Sequence, residues 1–168
     1  GSSKPKEVSD YSVDKLTADI FALADALGVR NFTIVGHDWG GAIAWSVALA
    51  GQKGGFNPAW DGRVTQAIIA NAPHPAIFQR LLLTNEAQRA ASQYMRVFRD
   101  TGQDQLIQEH GIAGLLAVAF AGRPPSGGLQ PVDEIDRLRV DWEDRDACFG
   151  MVNWYRGSPI NVPPMDAP

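Results

Sequence analysis

Apolar residues first recur at helical spacing near the start of the chain. Leu16, Ile20, Leu23 and Leu27 repeat every three to four positions, which predicts a helix over Val13–Leu27. Ser12 stands at its N-cap position, Asp14 in its first turn and Gly28 just past its end. The spacing then changes. "NFTIVG", Asn31–Gly36, is short, β-branched and closed by glycine, the signature of a buried strand. Gly40–Ala50 returns to an apolar helical run, "GQKGGFNPAWDG" reads as an exposed loop, and Arg63–Asn71 reads as a second strand. Helix, strand, helix, strand is the order of a parallel α/β sheet.

The pattern changes again at "APHP", Ala72–Pro75. Beyond it only helical spacing recurs: Leu83–Arg99, Asp104–Ala121, and one or two helices within Asp133–Tyr155. The loop Gly122–Pro131 separates them, and the proline-rich Ser158–Pro168 reads as an extended linker. The fold class expected is therefore α/β: a partial core of two parallel strands with flanking helices over residues 1–72, an all-helical cap over 73–157, and a linker over 158–168 that returns to a core outside the chain.

Composition narrows the function classes. With 45% hydrophobic and 20% charged residues, the 168-residue chain is globular. A net charge of −4 with no basic run argues against nucleic acid as a partner. The longest apolar run, Ile112–Ala121, is too short to span a membrane. The single cysteine, Cys148, excludes an internal disulfide and fits a reducing, cytoplasmic setting. No cluster of histidine, cysteine and carboxylate has metal-ligand spacing, so neither metal nor cofactor is expected.

The candidate chemistry lies in "IVGHDWGGAIAW", Ile34–Trp45. Gly36-His37-Asp38-Trp39-Gly40 has the form Gly-x-nucleophile-x-Gly between a strand and a helix, the context of a nucleophile elbow. An aspartate there is ionised at neutral pH and attacks without a base. Its attack on an sp3 carbon bearing a leaving group gives an ester that water can hydrolyse. Epoxides and alkyl halides are such substrates.

The string "GHDWGG" (Gly36–Gly41) resembles the elbow of the epoxide hydrolases of the α/β-hydrolase fold. "NAPHP" (Asn71–Pro75) is similar to the segment leading into their helical cap. "SQYMRVF" (Ser92–Phe98) and "NWYRGSP" (Asn153–Pro159) resemble two cap segments that each present a tyrosine. The resemblance implies an epoxide substrate and water as partners, Asp38 as nucleophile, and the Tyr94 and Tyr155 hydroxyls gripping the epoxide oxygen. A phenol with a pKa of about 10 holds the proton an expelled alkoxide needs. The elbow motif calls for a backbone oxyanion donor at Trp39, and Trp39, His74 and Trp154 are candidate substrate contacts, with a packing role for His74 equally open. His37 is expected to hold the turn from below, and His110 to lie on the surface. The carboxylates of "DWEDRD", Asp141–Asp146, are expected on a solvated helix face. Haloalkane or haloacid dehalogenation on the same fold stays open, as does a non-catalytic binding role. The tyrosine pair favours epoxides, because a halide departs without a proton.

Two parts of the family pattern are not in these residues: the His-Gly-x-Pro loop, and the downstream acid and histidine that activate water. The chain is therefore expected to be the central piece of a longer enzyme, poorly folded and without turnover on its own. "GSSKP" at its start resembles a native loop before the first helix.

Overall fold

In the computed structural model, residues 3–120, 140 and 142–166 are described. The α/β part begins with a 3-10 turn, Val8–Tyr11, followed by α1 (Val13–Ala26), β1 (Phe32–His37), α2 (Trp39–Gly51) and β2 (Val64–Ala70). The two strands pair in parallel, with Ile34 opposite Ala67 and His37 opposite Ala70. Gly28 leaves α1 at φ 67°, the left-handed conformation expected of a residue past a helix end. Ser12 occupies the N-cap position without a side-chain hydrogen bond.

The buried stripe of α1 differs from the one its leucines suggest. Thr17, Phe21 and Ala24 face inward, while Leu23 and Leu27 are exposed. Phe21 sets this orientation. Its ring stacks on Trp60 at 4.1 Å and meets Phe32 edge-on at 5.6 Å. The Arg63 guanidinium lies over the same ring, donates to the Val29 and Arg30 carbonyls, and pairs with Asp25 at 2.7 Å. The loop expected to be exposed thus contributes a core anchor. Its one-turn 3-10 helix, Pro58–Trp60, starts at Asn57, whose side chain accepts the Ala59 N–H.

From β2 the chain enters a helical layer: α3 (Pro75–Thr84), α4 (Glu86–Ala91), α5 (Tyr94–Arg99), α6 (Asp104–Ala119) and α7 (Arg145–Arg156). The single helix expected over Leu83–Arg99 is broken twice. Asn85 ends α3 and its side chain accepts the Gln88 N–H to start α4, so the two helices cannot be continuous. α3 itself begins at Pro75, where a missing N–H and a fixed φ suit the first helical turn. α6 kinks at Gly111 (φ 64°), where the Arg145 side chain packs against the backbone and donates to the Gln108 and Trp142 carbonyls. The expected loop 122–131 and the start of the sequence expected to be helical after 133 (residues 133–139, and 141) lie outside the described residues.

"DWEDRD" is not a helix face. Asp144 is the N-cap of α7, accepting the Ala147 N–H at 3.1 Å and pairing with Lys4 at 3.2 Å, while Asp141 lies outside the described residues. Residues 158–166 are extended, as the prolines require, yet they are not a free linker. Val162 is buried with Leu82 and Met95, and Asn161 exchanges two hydrogen bonds with the Gln79 side chain. One core cluster, around Phe21, Ile43 and Val47, lies in the α/β part; another, around Phe98, Ile107, Leu115 and Cys148, lies in the helical layer.

Candidate active site

Asp38 sits at the sharp joint between β1 and α2, with φ 54° and ψ −122°. An aspartate at positive φ is strained, and the surrounding bonds hold it there. Its N–H donates to the Ala70 carbonyl across the sheet at 3.2 Å, and its own carbonyl accepts from Ala42 at 3.0 Å. The neighbouring glycines do different things. A Cβ on Gly36 would strike the Gly40 carbonyl oxygen and come within 2.8 Å of the Ala44 Cβ. One on Gly41 would reach the Ala72 Cβ at 2.6 Å. One on Gly40 would meet nothing. Glycine is therefore demanded at positions 36 and 41, where strand and helix nearly touch, and not at position 40.

The turn delivers Asp38 to a cavity of about 550 Å³ between the sheet end and the helical layer. Its floor carries Asp38, Trp39, Ala42 and Ser46, the last two one and two turns along α2 from the aspartate. Tyr94, Tyr155, Phe78 and Met95 line it from the helical side. The Tyr155 ring meets Trp39 edge-on at 5.0 Å and Tyr94 at 6.0 Å. Phe98 closes behind both tyrosines, 5.4 Å from Tyr94 and 4.8 Å from Tyr155.

Both phenols are held neutral. Burial pushes Tyr94 up to about 12, helped by Tyr155 and by the negative charge of Asp38. Burial also raises Tyr155, while hydrogen bonds from the Trp39 indole and the Tyr94 hydroxyl pull it partly back. The Trp39 backbone N–H is in the first turn of α2, where intrahelical acceptors are lacking and the helix dipole favours negative charge.

The placements of Trp154 and His37 differ from those expected. His74 caps α3, its Nδ1 accepting the Ala76 N–H at 3.2 Å, and its ring packs on Trp45 at 5.0 Å. That is the packing alternative, and the cavity lining passes on either side of it at Pro73 and Pro75. Trp154 is 5.9 Å from Trp39 but lines a second cavity behind it, with Lys4, Tyr11 and Met151. His37 is exposed on the face of β1 shared with Val35, instead of packing beneath the turn. His110 lies on the surface beside Glu109, as expected. The periodicity of Asp38, Ala42 and Ser46 could have revealed the floor of the cavity; Phe78 and Met95 carry no such local signal. Among the described residues, no group of three histidine, cysteine, aspartate or glutamate side chains could hold a metal ion. No helix among them is long and apolar enough to cross a membrane.

Residues 1–108 match the family model of the alpha/beta hydrolase fold, and the chain belongs to that family. Within it, the resemblance is to epoxide hydrolases. A solved structure described as one of the novel epoxide hydrolases from metagenomes of hot environments is 58% identical, with a TM-score of 0.86 over 100% of this chain and 53% of its own. A variant of an epoxide hydrolase from Bacillus megaterium, complexed with its naphthyloxy-propanediol product, is 28% identical, with a TM-score of 0.70 over 94% of this chain and 51% of its own. Epoxide hydrolase 1 of Caenorhabditis elegans is 34% identical over 161 residues, 92% of this chain and 37% of that protein. The chain thus spans about half the length of these relatives, or less.

Proposed function

We propose that this chain carries the alkylation half of an epoxide hydrolase. An Asp38 carboxylate oxygen attacks an epoxide carbon, the carbon–oxygen bond of the ring breaks, and Tyr155 transfers its proton to the departing oxygen. The product is a hydroxyalkyl ester on Asp38, and hydrolysis of that ester releases a diol. Tyr94 hydrogen-bonds the same oxygen and steadies Tyr155. The Trp39 N–H is one donor to the oxyanion formed when the ester is hydrolysed. The helical layer acts as the cap over the substrate.

The observation that carries this reading is the facing of Asp38 by two phenols that the cavity keeps protonated. A carboxylate opposite a proton donor suits an epoxide, whose leaving oxygen stays tethered and needs a proton. A halide departs as a stable anion and has no use for the two protonated phenols. None of the chain's three histidines lines the cavity, so the 168-residue chain by itself stops at the ester.

The test is intact-mass spectrometry of the purified chain with an aryl glycidyl ether. One adduct equal to the epoxide mass is expected, mapped to Asp38 and missing from Asp38→Ala, without sustained diol release. Equal labelling of Asp38→Ala, or halide release from a chloroalkane at a comparable rate, would overturn the assignment.

A further inference from the structure

The two tyrosine-bearing helices end side by side, and each is closed by an arginine from the other. The last carbonyls of a helix have no partners within it and accept readily from a cationic side chain. Arg99, the last residue of α5, donates its Nε to the Tyr155 carbonyl at 2.9 Å, Nη2 to that of Ser158 at 3.2 Å, and Nη1 to that of Ile160. In return Arg156, the last residue of α7, donates its Nε to the Phe98 carbonyl at 3.3 Å and pairs with Asp104 at 2.5 Å. Arg99 is half-buried and its three acceptors span the exit of α7 into the extended segment 158–160. Ser158, Pro159 and Ile160 all line the cavity that holds Asp38. Two further side chains of the same region continue the fastening: Arg96 to the Val162 carbonyl at 3.0 Å and Gln93 to that of Pro163 at 2.9 Å.

We propose that Arg99 is the positioning residue for Tyr155. α5 carries Tyr94 directly and, through the Arg99 fork, fixes the backbone of Tyr155 and the cavity wall beyond it. One short helix thereby sets the spacing of the two hydroxyls over Asp38. The geometry needs a guanidinium: three carbonyls in different directions are met by a planar fork, whereas a lysine ammonium on a flexible stem serves them as a point charge. The inference deepens the epoxide-opening reading and rests on it for its catalytic consequence, but the structural part stands apart.

Arg99→Ala and Arg99→Lys test it in the full chain, with tyrosine labelled at 13Cζ so that Tyr11, Tyr94 and Tyr155 titrate separately by NMR. In both variants the Tyr94 midpoint is expected to fall by about one unit or more from its value near 12 as Tyr155 withdraws, with Tyr11 unmoved. The maximal rate of Asp38 alkylation is expected to drop at least about tenfold with little change in the half-saturating epoxide concentration. Val47→Ala, a cavity in the Phe21 cluster of the α/β part and away from the fork, is the control: it should weaken the fold without moving either titration. If Arg99→Ala does not fold, Arg99→Lys keeps the charge and the test. Unchanged Tyr94 and Tyr155 titrations in a folded Arg99 variant overturn the proposal. Shifted titrations in a chain that is never alkylated leave Arg99 as the positioning residue and remove the epoxide reading instead.

Discussion

In the proposed mechanism Tyr155, whose ring meets both Trp39 and Tyr94, is the proton donor, and Tyr94 supplies a second hydrogen bond to the same oxygen. Tyr155→Phe is therefore expected to slow alkylation by about 10²–10⁴, the range for loss of a general acid. Tyr94→Phe should cost about tenfold, through loss of one contact to the oxygen. The sign of the pH dependence follows from the same groups. Each phenol works when protonated, and burial together with the Asp38 charge raises both, Tyr94 to about 12. The loss of alkylation at high pH should therefore be centred above 10, the point at which an ordinary tyrosine is half ionised. The adduct yield across pH 7–12 for the wild type and both single variants checks this, and a larger loss in Tyr94→Phe would reverse the assignment. The roles of Asp38, Tyr94 and Tyr155 were expected from short strings around them. Arg99 was not, because its partners are backbone carbonyls 56–61 residues away and no local pattern marks them.

At the scale of elements, the joint between β1 and α2 is where sequence and packing constrain each other most. The motif contains Gly36 and Gly40 as equals, yet they meet different surroundings. Gly36→Ala would press its methyl on a backbone oxygen and on Ala44, neither free to retreat. It is expected to cost about 3 kcal/mol or more, the upper end of overpacking. Gly40→Ala, in the first turn of α2 with open space around it, is expected to be neutral or to stabilise by up to about 1 kcal/mol through reduced backbone freedom. Urea denaturation of the two variants separates these outcomes, and similar losses at both positions would contradict the packing argument. The strands and α1 were legible because period and turn residues agreed, within two residues at each end. The helical layer was legible in kind but not in division. Asn85 with Gln88 three residues on is a helix-start signal that the apolar run around it concealed. The spacing of the leucines marks α1 as a helix but not its buried face, which the Phe21–Trp60–Phe32 cluster, built from residues distant in sequence, selects.

For the whole molecule, the distribution of cover decides behaviour. Parallel strands are found with both faces covered. Here α1 and α2 cover one face, while Val35 and Ile68, paired across the two strands, are 67% and 59% exposed on the other. His37 lies beyond Val35 on that same face, immediately before the aspartate of the turn. The helical layer has the opposite character. Phe98, Ile107, Leu115, Cys148 and Val152 are buried together, and the paired arginines bind α5 to α7. The 168-residue chain in solution is therefore expected to associate through its sheet while the helical layer stays folded. Hydrogen exchange should find the α5, α6 and α7 amides protected and the β1 and β2 amides exchanging early at low concentration, gaining protection as concentration rises. Replacing Val35 and Ile68 together by Thr, which keeps β-branching and removes apolar surface, should reduce that association without changing exchange in the helices. Light scattering across a dilution series reads the first effect. A wild-type chain that stays monomeric, with strands protected as well as helices, would mean that two strands and one covered face suffice. In that case the strain at Asp38 must be held by the Ala70 and Ala42 hydrogen bonds alone.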